Sequence, residues 1–348
     1  MSTGPKNMNV LAIRSDFIHH GEHSGYKQIL KYTNPYKIIG VDERAEKKQS
    51  VLMNGYCWPY EFTALKYKKD IHLIHHLYAD EFFRFSARLF KVPIVATFHQ
   101  TPELLERDVI HGDLRGRIAK FTHKINKSRF NSLAAAIVTS PNQIEVLKKV
   151  MPEEKIHHIP LGLHIDRLNP HYEAFAKTEN TKRIITVGNW QRDWDYYFQV
   201  VKDCPNYQFT LVNRKLDPKY KTMLSQTPNV TYHDDVSDEE MYQLYLESDV
   251  QFLPIIGIAA SNAVMDGFAL GCPLVATDLG MTEYKDHADI VTLYDKGDLN
   301  STKRSLSLFL DKSLEEKIET RKNCRNFAQG FTWQEIARRT VELYNKVI

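Results

Sequence analysis

The sequence predicts an α/β protein of two domains, each built on a doubly wound parallel sheet. The chain has 348 residues, enough for about two domains of ordinary size. Short apolar, β-branched runs alternate with longer amphipathic stretches, as in parallel βαβ units. The alternation occurs twice, on either side of a polar, turn-rich segment. We therefore expect a first domain at 1–163, a linker or hinge at 164–182 and a second domain at 183–330.

Each domain has six candidate strands. The first-domain runs are NVLAIR, YKIIGV, IHLIHH, PIVATF, AAAIVTS and KIHHIP, and the second-domain runs are RIITVG, QFTLVN, NVTYHD, DVQFLP, PLVATD and DIVTLY. Strands that are buried on both faces of a sheet read as nearly continuous apolar runs, as these do. In such sheets ligands bind beyond the carboxyl ends of the strands, at the switch point of the winding. The residues that follow each run are therefore the candidate site residues.

Composition excludes several classes of protein. The chain is 43% hydrophobic and 26% charged, without the run of about 20 apolar residues that spans a bilayer. Its first residues lack the features of a secretory signal, so we expect a cytoplasmic protein. A net charge of +3 is too small to indicate nucleic-acid binding. The widely spaced cysteines form no CxxC pair and are expected to be buried free thiols: Cys57, Cys204, Cys272 and Cys324.

The loop after the first strand is a candidate substrate site. It has no GxGxxG fingerprint, which counts against an NAD or FAD enzyme. Arg14 ends the strand, and the loop SDFIHHGEHSGYKQIL reaches a helix through Gly25 and Tyr26. The alternative is that Gly25 only shapes a turn or caps a helix. We expect no metal site, because the histidines lack the HxxxH spacing of a helical zinc pair with a nearby acid: His19, His20, His23, His75 and His76.

The first strand of the second domain ends in VGNWQRDWDYY. Gly188 allows a tight turn there, and Arg192 follows within reach of a bound anion. A solvated surface arginine is the alternative. Its place after the carboxyl end of a strand favours the functional interpretation.

The stretch SNAVMDGFALGCPLVAT predicts a helix that leads into a strand. Ser261 is a good N-cap, and Gly271 with Pro273 ends the helix. The free N–H groups of the first turn suit phosphate oxygens. Asn262 and Asp266 share one face of the helix, and a carboxylate there suits the vicinal diol of a ribose. Alternatively, Asp266 is a buried polar group satisfied by backbone or an arginine.

This stretch also resembles the donor-site segment of glycosyltransferase family 4. KIHHIPLGLHIDRLNP resembles the interdomain stretch of that family, NVTYHDDVSDEEMYQLYLESDVQFLP its fourth-strand region and FTWQEIARRTVELY its closing helix. The first half matches more loosely, through IHLIHHLYAD, ATFHQTP and AAAIVTSPNQ. The order and spacing of these segments make the resemblance specific.

The resemblance implies the GT-B architecture, in which two Rossmann-like domains face each other across a cleft. It places a closing helix at 331–348 that packs back toward the first domain. It implies a retaining, metal-independent glycosyltransferase of the hexosyltransferase type that uses a UDP- or GDP-linked sugar as donor and needs no cofactor. The expected acceptor is a glycan or a lipid-linked glycan in cell-surface polysaccharide assembly.

The family also suggests which residues act at the donor. Its two glutamates, eight positions apart, correspond here to Ile258 and Asp266, so only the ribose contact of the second is carried over. Its arginine after the first-strand glycine is Asn189 here, and we expect Arg192 to replace it as the diphosphate clamp. Lys215 is the second candidate cation, with Arg214 an equal competitor.

Two further positions match the family pattern. His99 in TFHQTP corresponds to the histidine that faces the donor sugar, although a strand-end histidine is often structural. Val236 falls where the family holds the nucleobase through backbone groups. The expected catalytic residues are His99, Arg192 and Lys215, and the expected substrate-binding residues are Arg14, Gly25, Tyr26, Gly188, Asn189, Val236, Ser261, Asn262, Ala263 and Asp266.

Residues 113–130, DLRGRIAKFTHKINKSRF, are basic and have apolar residues at helical spacing. The pattern predicts an amphipathic helix that is a candidate for peripheral contact with the anionic inner face of a membrane. A helix with its apolar face in the core and its charged face in water is the alternative.

Three other functions fit the predicted fold. A nucleotide-sugar epimerase would need a pair of residues placed to move a proton at the sugar ring, and no such pair is evident. A two-domain ligand-binding protein would usually carry an export signal. A catalytically inactive nucleotide-sugar-binding protein is favoured by the isoleucine at position 258.

Overall fold

A computed structural model describes residues 8–16, 25–42, 58–79, 83, 85–107, 127–257, 261–279, 284 and 286–348. The chain divides into two compact units. The first consists of residues 1–162 and 333–348, and the second of residues 163–332.

The first unit contains a parallel sheet of six strands. Their spatial order is β2-β1-β3-β4-β5-β6, so the winding reverses between β1 and β3. The strands are β1 (Val10–Asp16), β2 (Lys37–Asp42), β3 (Leu73–His76), β4 (Ile94–Phe98), β5 (Ala135–Val138) and β6 (Ile156–His158). The α-helices between them are α1 (Leu30–Thr33), α2 (Trp58–Thr63), α3 (Ser86–Leu89), α4 (Pro102–Leu105) and α5 (Ile144–Leu147).

Apolar packing on both faces of the sheet explains the continuous strand runs. Every residue of β3, β4 and β5 is buried. The outer pair, β1 and β2, approaches so closely that a Cβ on Gly40 would lie 2.0 Å from the carbonyl oxygen of Arg14. Only glycine fits at that position.

The second unit also contains a parallel sheet of six strands. Its order, β12-β11-β10-β7-β8-β9, places the reversal of winding between β7 and β10. The strands are β7 (Arg183–Val187), β8 (Gln208–Val212), β9 (Val230–His233), β10 (Val250–Leu253), β11 (Leu274–Thr277) and β12 (Val291–Tyr294). The two six-stranded parallel sheets confirm the predicted fold class.

Helices cover this second sheet. They are α6 (Ile165–Ala174), α7 (Trp194–Asp203), α8 (Pro218–Leu224), α9 (Asp238–Glu247), α10 (Asn262–Ala269), α11 (Leu299–Leu310) and α12 (Leu314–Gln329). Five of the seven begin at a residue whose side chain accepts a hydrogen bond from a first-turn N–H: Asp193, Asp217, Ser237, Asp298 and Ser313. These caps fix the points at which the chain leaves each strand end and enters a helix.

The segment predicted as a linker, 164–182, is helical over its first half. Helix α6 buries Ile165 and Leu168 in the core of the second unit. Its histidine, asparagine and proline residues favour turns in isolation, and Pro170 lies inside the helix. Tertiary packing of the two apolar side chains outweighs these local preferences.

The last helix, α13 (Trp333–Val347), belongs to the first unit. Trp333 is buried against Gly162, where an added Cβ would lie 2.4 Å from the indole ring. At the other end of the helix, the Tyr344 hydroxyl lies 2.6 Å from Nδ1 of His75. The helix is therefore part of the core of the first unit.

Three sequence predictions concern features outside the sheets. In the part of the chain that the structure describes, no helix is long and apolar enough to cross a membrane. Cys204, Cys272 and Cys324 are buried free thiols. Cys57 and most of the basic segment 113–130 lie outside the described residues, and the membrane contact stays a prediction.

Replacement of Gly162 by alanine tests the packing of α13. We expect Gly162→Ala to lower the free energy of unfolding by about 1 to 3 kcal/mol, because the new methyl group overlaps the Trp333 indole. Denaturant unfolding followed by tryptophan fluorescence measures the change. Gly330→Ala is the control, since its nearest neighbour would be the Phe327 carbonyl oxygen at an ordinary 3.5 Å. Equal stability of the two variants would contradict the packing argument.

Candidate functional site

In the second unit, the loops after β7 and β10 are joined at the point where the winding reverses. Arg192 and Ile255 form an isolated antiparallel bridge. The Ile256 N–H donates to the Gln191 carbonyl (3.1 Å), and the Asp193 N–H donates to the Pro254 carbonyl (2.7 Å). Doubly wound sheets bind ligands in the crevice at this position. The fixed loops therefore form the floor of the candidate site.

Arg192 is the cation of this floor. Its Nη2 donates to the Val187 carbonyl and its Nη1 to the Trp190 carbonyl, each at 3.0 Å. Its Nε is buried and has no hydrogen-bond partner among the described residues. Burial lowers the pKa of the guanidinium to about 10, so Arg192 is still charged near neutral pH. The arginine that the sequence predicted for an anion thus lies at the switch point, with donors to spare.

The turn before Arg192 has a backbone that only glycine adopts readily. Gly188 has φ 94°. A Cβ built at its ideal position would lie 3.3 Å from Nη2 of Arg192, so the glycine packs against the guanidinium. Asn189 is exposed. The Trp190 side chain is 53% exposed, although its own carbonyl is held by Arg192. Trp190 was not among the predicted site residues. A large aromatic residue in a loop that follows a strand was the pattern that could have indicated it.

Helix α10 begins beside the loop that follows β10. Ser261 occupies the N-cap position, as predicted, but its side chain makes no capping hydrogen bond. The first-turn N–H groups are thus left without the side-chain acceptor that a serine cap usually supplies. Asn262 is exposed, and the Ala263 carbonyl accepts a hydrogen bond from the Tyr245 hydroxyl (2.9 Å). Ile258 lies outside the described residues.

Asp266 lies on the same helix, partly buried. Burial raises the pKa of its carboxyl to about 7, with a further upward effect from Asp238 and an opposing one from Arg167. No hydrogen bond to its carboxylate occurs among the described residues. The alternative interpretation, a buried acid satisfied by backbone or an arginine, therefore has no hydrogen bond to support it in that part of the chain, although Arg167 acts on the acid electrostatically.

Arg167 is a residue near this acid that the sequence analysis missed. It comes from α6, in the predicted linker, and pairs with Asp238 of α9 at 3.5 Å. Its guanidinium also lies 6.0 Å from the ring centroid of Tyr242. Because residues 164–182 were predicted to be a linker, Arg167 was not a candidate site residue. The packing of α6 onto α9 and α10 brings it near Asp266.

The ends of β8 and β9 carry the remaining second-unit candidates. Arg214 is engaged with Asp235 (3.3 Å) and with the Val236 carbonyl (3.3 Å). Lys215 is exposed and forms no ion pair within the described part of the chain. This difference favours Lys215 over Arg214 as the cation available to a ligand. It also means that the carbonyl of Val236 already has one partner.

In the first unit, His99 follows β4 and is partly buried. Its Nε2 lies 2.7 Å from the Leu77 carbonyl. A carbonyl only accepts, so Nε2 carries the proton in the neutral ring. The imidazole packs against the rings of Tyr26 (4.8 Å) and Tyr78 (4.6 Å). Its orientation is therefore set by both a hydrogen bond and aromatic contacts.

Tyr26 was predicted to contact substrate, but its side chain is only 1% exposed. Its hydroxyl lies 3.5 Å from Thr97 Oγ1, which bonds in turn to Nε2 of His75 (2.8 Å). Burial raises the pKa of Tyr26 to about 12 and lowers the pKa of His75 to about 3. Both groups are neutral, and we assign Tyr26 a positioning role behind His99 instead.

The other first-unit candidates are Gly25 and Arg14. Gly25 is buried, has φ 86° and precedes the 3₁₀ turn Tyr26–Ile29, so the turn-shaping alternative accounts for it. Arg14 does not end its strand; β1 continues to Asp16, and the Arg14 side chain is partly buried. Neither observation indicates that Gly25 or Arg14 contacts a ligand.

No cluster of three or more histidine, cysteine, aspartate or glutamate side chains that could hold a metal ion occurs in the described residues. His75 is bonded to Tyr344 and Thr97, and His76 to Ser86 (2.9 Å). These histidines are structural. His19, His20 and His23 lie outside the described residues.

Two families of glycosyltransferases match parts of the chain. The family described as Glycosyltransferase Family 4 matches residues 46–167. The family described as Glycosyl transferases group 1 matches residues 181–311. No curated protein sequence matches the chain significantly.

Solved structures with the same fold cover nearly the whole chain. Sucrose-phosphate synthase from Thermosynechococcus elongatus is 16% identical, with a TM-score of 0.70 over 98% of this chain and 99% of that one. Anabaena HepE, solved with UDP, is 13% identical, with a TM-score of 0.69 over 97% and 100%. The catalytic domain of starch synthase IV from Arabidopsis thaliana, solved with ADP and acarbose, is 11% identical, with a TM-score of 0.69 over 98% and 99%. These likenesses show the GT-B fold.

The raised pKa of Asp266 predicts a pH-dependent stability. Its native pKa of about 7 lies above the ordinary value of 3.8, so the native state binds the proton more tightly than the unfolded state. Stability from this group is therefore present at low pH and lost as pH rises from about 4 to about 7, by at most about 1.4 kcal/mol for each pH unit in that range. Denaturant unfolding at pH 4.5 and 7.5 measures the loss.

Asp266→Asn is the variant that isolates this effect. We expect it to gain stability relative to the wild type as pH rises, because an amide does not ionise. A wild-type-to-variant difference that does not change with pH would contradict the assignment.

Proposed function

Because the chain is a family 4-like glycosyltransferase with the GT-B fold, we propose that it transfers a sugar from a nucleotide-sugar donor to a glycan or lipid-linked acceptor, with retention at the anomeric carbon. The observation that carries the proposal is the fixed crevice floor of the second unit. There Arg192 and the described part of the loop after β10 lie at the point in the sheet where the winding reverses.

The diphosphate of the donor is the group that fits this floor. Arg192 is charged and keeps N–H donors beyond those it gives to Val187 and Trp190. The first turn of α10 adds backbone N–H groups and the positive end of the helix dipole. Lys215 supplies a second, exposed cation from the loop after β8. Departure of the nucleoside diphosphate leaves negative charge on its oxygens, and these groups stabilise that charge.

The ribose is assigned to Asp266. A carboxylate accepts hydrogen bonds from both hydroxyls of a vicinal diol, and this one makes no hydrogen bond within the described part of the protein. Its partial burial raises the energy of the charged form, and two hydroxyl donors would offset that cost. Arg167 and Asp238 tune the charge of the site from the neighbouring helices.

One side chain beside the clamp is proposed to contact the transferred sugar, and a second is assigned to it by family resemblance alone. The exposed indole of Trp190 lies beside the clamp and offers an apolar face of the kind that packs against a sugar ring. His99, oriented by the Leu77 carbonyl, is assigned by its resemblance to the family histidine near the donor sugar. We assign it a positioning role, since its hydrogen bond fixes the ring.

The finer parts of the proposal concern donor, acceptor and metal. We propose a UDP- or GDP-linked sugar, held at the base by backbone groups near Val236. HepE was solved with UDP and starch synthase IV with ADP, so the fold accepts more than one base. The cations of the second unit supply the charge that a metal would otherwise provide, and we propose metal-independent transfer. We place the reaction in cell-surface polysaccharide assembly, at the cytoplasmic side of the membrane.

A catalytically inactive nucleotide-sugar-binding protein is the second candidate function. Asn189 and Ile258 stand where the family usually carries an arginine and an acid, which is the observation that favours it. Hydrolysis or transfer by the purified protein with any bound nucleotide sugar would exclude it. Binding without turnover across the UDP and GDP series would support it.

Nucleotide binding without metal tests the clamp. We expect UDP or GDP to bind the wild-type protein in the presence of a chelator, and Arg192→Ala to weaken that binding by roughly 10- to 100-fold, the value of one or two charge-assisted hydrogen bonds. Isothermal titration calorimetry measures both. Arg183→Ala is the matched control, since Arg183 forms an exposed pair with Glu247 at the amino end of β7. A clamp variant that binds like this control would place the site elsewhere.

The ribose contact predicts that nucleotide affinity depends on pH. Affinity should rise as pH increases through about 7, because only the ionised Asp266 accepts two hydrogen bonds. Asp266→Asn should remove this rise. This result would distinguish titration of Asp266 from titration of the nucleotide phosphate. A 2′,3′-dideoxy nucleotide should show the same loss with the wild-type protein. If both controls retain the wild-type pH profile, Asp266 does not bind the ribose.

A further inference from the structure

The opposite end of the second sheet contains a buried cluster of charged side chains that take no part in the proposed donor site. It surrounds Asp249, the residue before β10, at the amino ends of the strands. The Asp249 side chain is fully buried. Its Oδ2 accepts hydrogen bonds from the Thr181 hydroxyl (2.7 Å) and from the Arg183 backbone N–H (2.9 Å).

Two buried lysines share this single carboxylate. Lys177 Nζ lies 2.9 Å and Lys317 Nζ 3.5 Å from Oδ1 of Asp249. The side chains are 5% and 3% exposed. One aspartate neutralises one lysine, and Asp311, which also interacts with Lys317, is itself paired with Lys182, so one buried positive charge is left over. An unbalanced charge in the interior destabilises the native state unless something compensates it.

The excess of positive charge grows when the whole recess is considered. Its polar walls are Lys177, Lys312, Lys317, Thr320 and Arg321 around the one acid, and its apolar walls are Pro273 and Phe309. The Arg321 head group is turned to the carbonyls of Ser248 and Leu270. The three lysine ammonium groups therefore share the recess with a single carboxylate among the residues that line it.

The ammonium groups have more N–H donors than protein acceptors. Lys317 donates to the Thr181 carbonyl, Lys177 to the Thr181 hydroxyl (3.3 Å), and Lys312 to the Thr320 hydroxyl (2.6 Å). Each ammonium has three N–H groups, and within the described residues these three lysines reach few other acceptors. Burial lowers the pKa of Lys317, Asp249 opposes this, and Lys177 lowers it further. The surroundings of Lys317 therefore disfavour its charged form.

We propose that this recess, lined by Lys177, Lys312 and Lys317, binds a small inorganic anion that neutralises the surplus lysine. The space between the side chains holds about one water molecule. The occupant is therefore a single anionic atom, either a halide ion or one oxygen of a phosphate that enters from the open side. The site lies at the amino ends of the strands, whereas the donor floor lies at their carboxyl ends, so the two are independent.

Thermal unfolding of the full chain tests the proposal. Bromide and inorganic phosphate are titrated separately into gluconate buffer at constant ionic strength. We expect one of them to raise the midpoint by roughly 3 °C at tenfold excess over its dissociation constant. A shift with bromide alone identifies a halide site, and anomalous scattering from a bromide-soaked crystal would locate it beside Lys317. A shift with phosphate alone identifies a phosphoryl site.

Three variants decide whether the shift comes from the recess. Lys317→Met leaves the Lys177 and Asp249 pair balanced, so it should fold and lose the shift. Lys303→Met removes an equal charge from a surface pair with Asp203 and should keep it. Arg192→Ala should also keep it, whereas phosphate bound at the donor floor would lose it. No shift with either anion, or the same shift in Lys317→Met, overturns the proposal without affecting the proposed transferase function.

Discussion

The candidate site depends on how Arg192 is held. Its guanidinium binds the carbonyl at the end of β7 and the carbonyl of Trp190 in the turn that follows, while its backbone bridges to the loop after β10. The same side chain thus closes the turn and carries the charge. Gly188 allows the turn to bend this tightly. A ligand that met this floor would find its cation already ordered, which reduces the entropy lost on binding.

Much of the fold followed from local pattern. Parallel strands buried on both faces read as continuous apolar runs, and the RIITVG and QFTLVN runs coincide closely with β7 and β8. The helix at 262–269 was predicted from its start and stop residues, and Gly271, with φ 80°, ends it as expected. These signals lie within a few residues of the structures they specify.

The parts that the sequence did not predict depend on contacts between distant residues. Arg167 pairs with Asp238 across 71 positions, and Tyr26 is buried behind His99, a residue 73 positions away. The segment that contains α6 is rich in turn-forming residues, but it is helical because Ile165 and Leu168 pack in the core of the second unit. Pairing also separates Arg214 from Lys215, which are adjacent, chemically similar and both exposed: only Arg214 is engaged with Asp235 and the Val236 carbonyl among the described residues. No periodicity in the sequence distinguishes an arginine that is already paired from a lysine that has no ion pair in the described residues.

The return of α13 to the first unit means that this unit is not a continuous piece of chain. Residues 1–162 lack Trp333 and Tyr344, which are both buried in its core. A ribosome must therefore complete the second unit before the first can close its own core. Until then Gly162 and His75 lack the partners that cover them, so apolar surface stays exposed throughout synthesis of about half of the protein. No single cut in the chain can release the first unit intact.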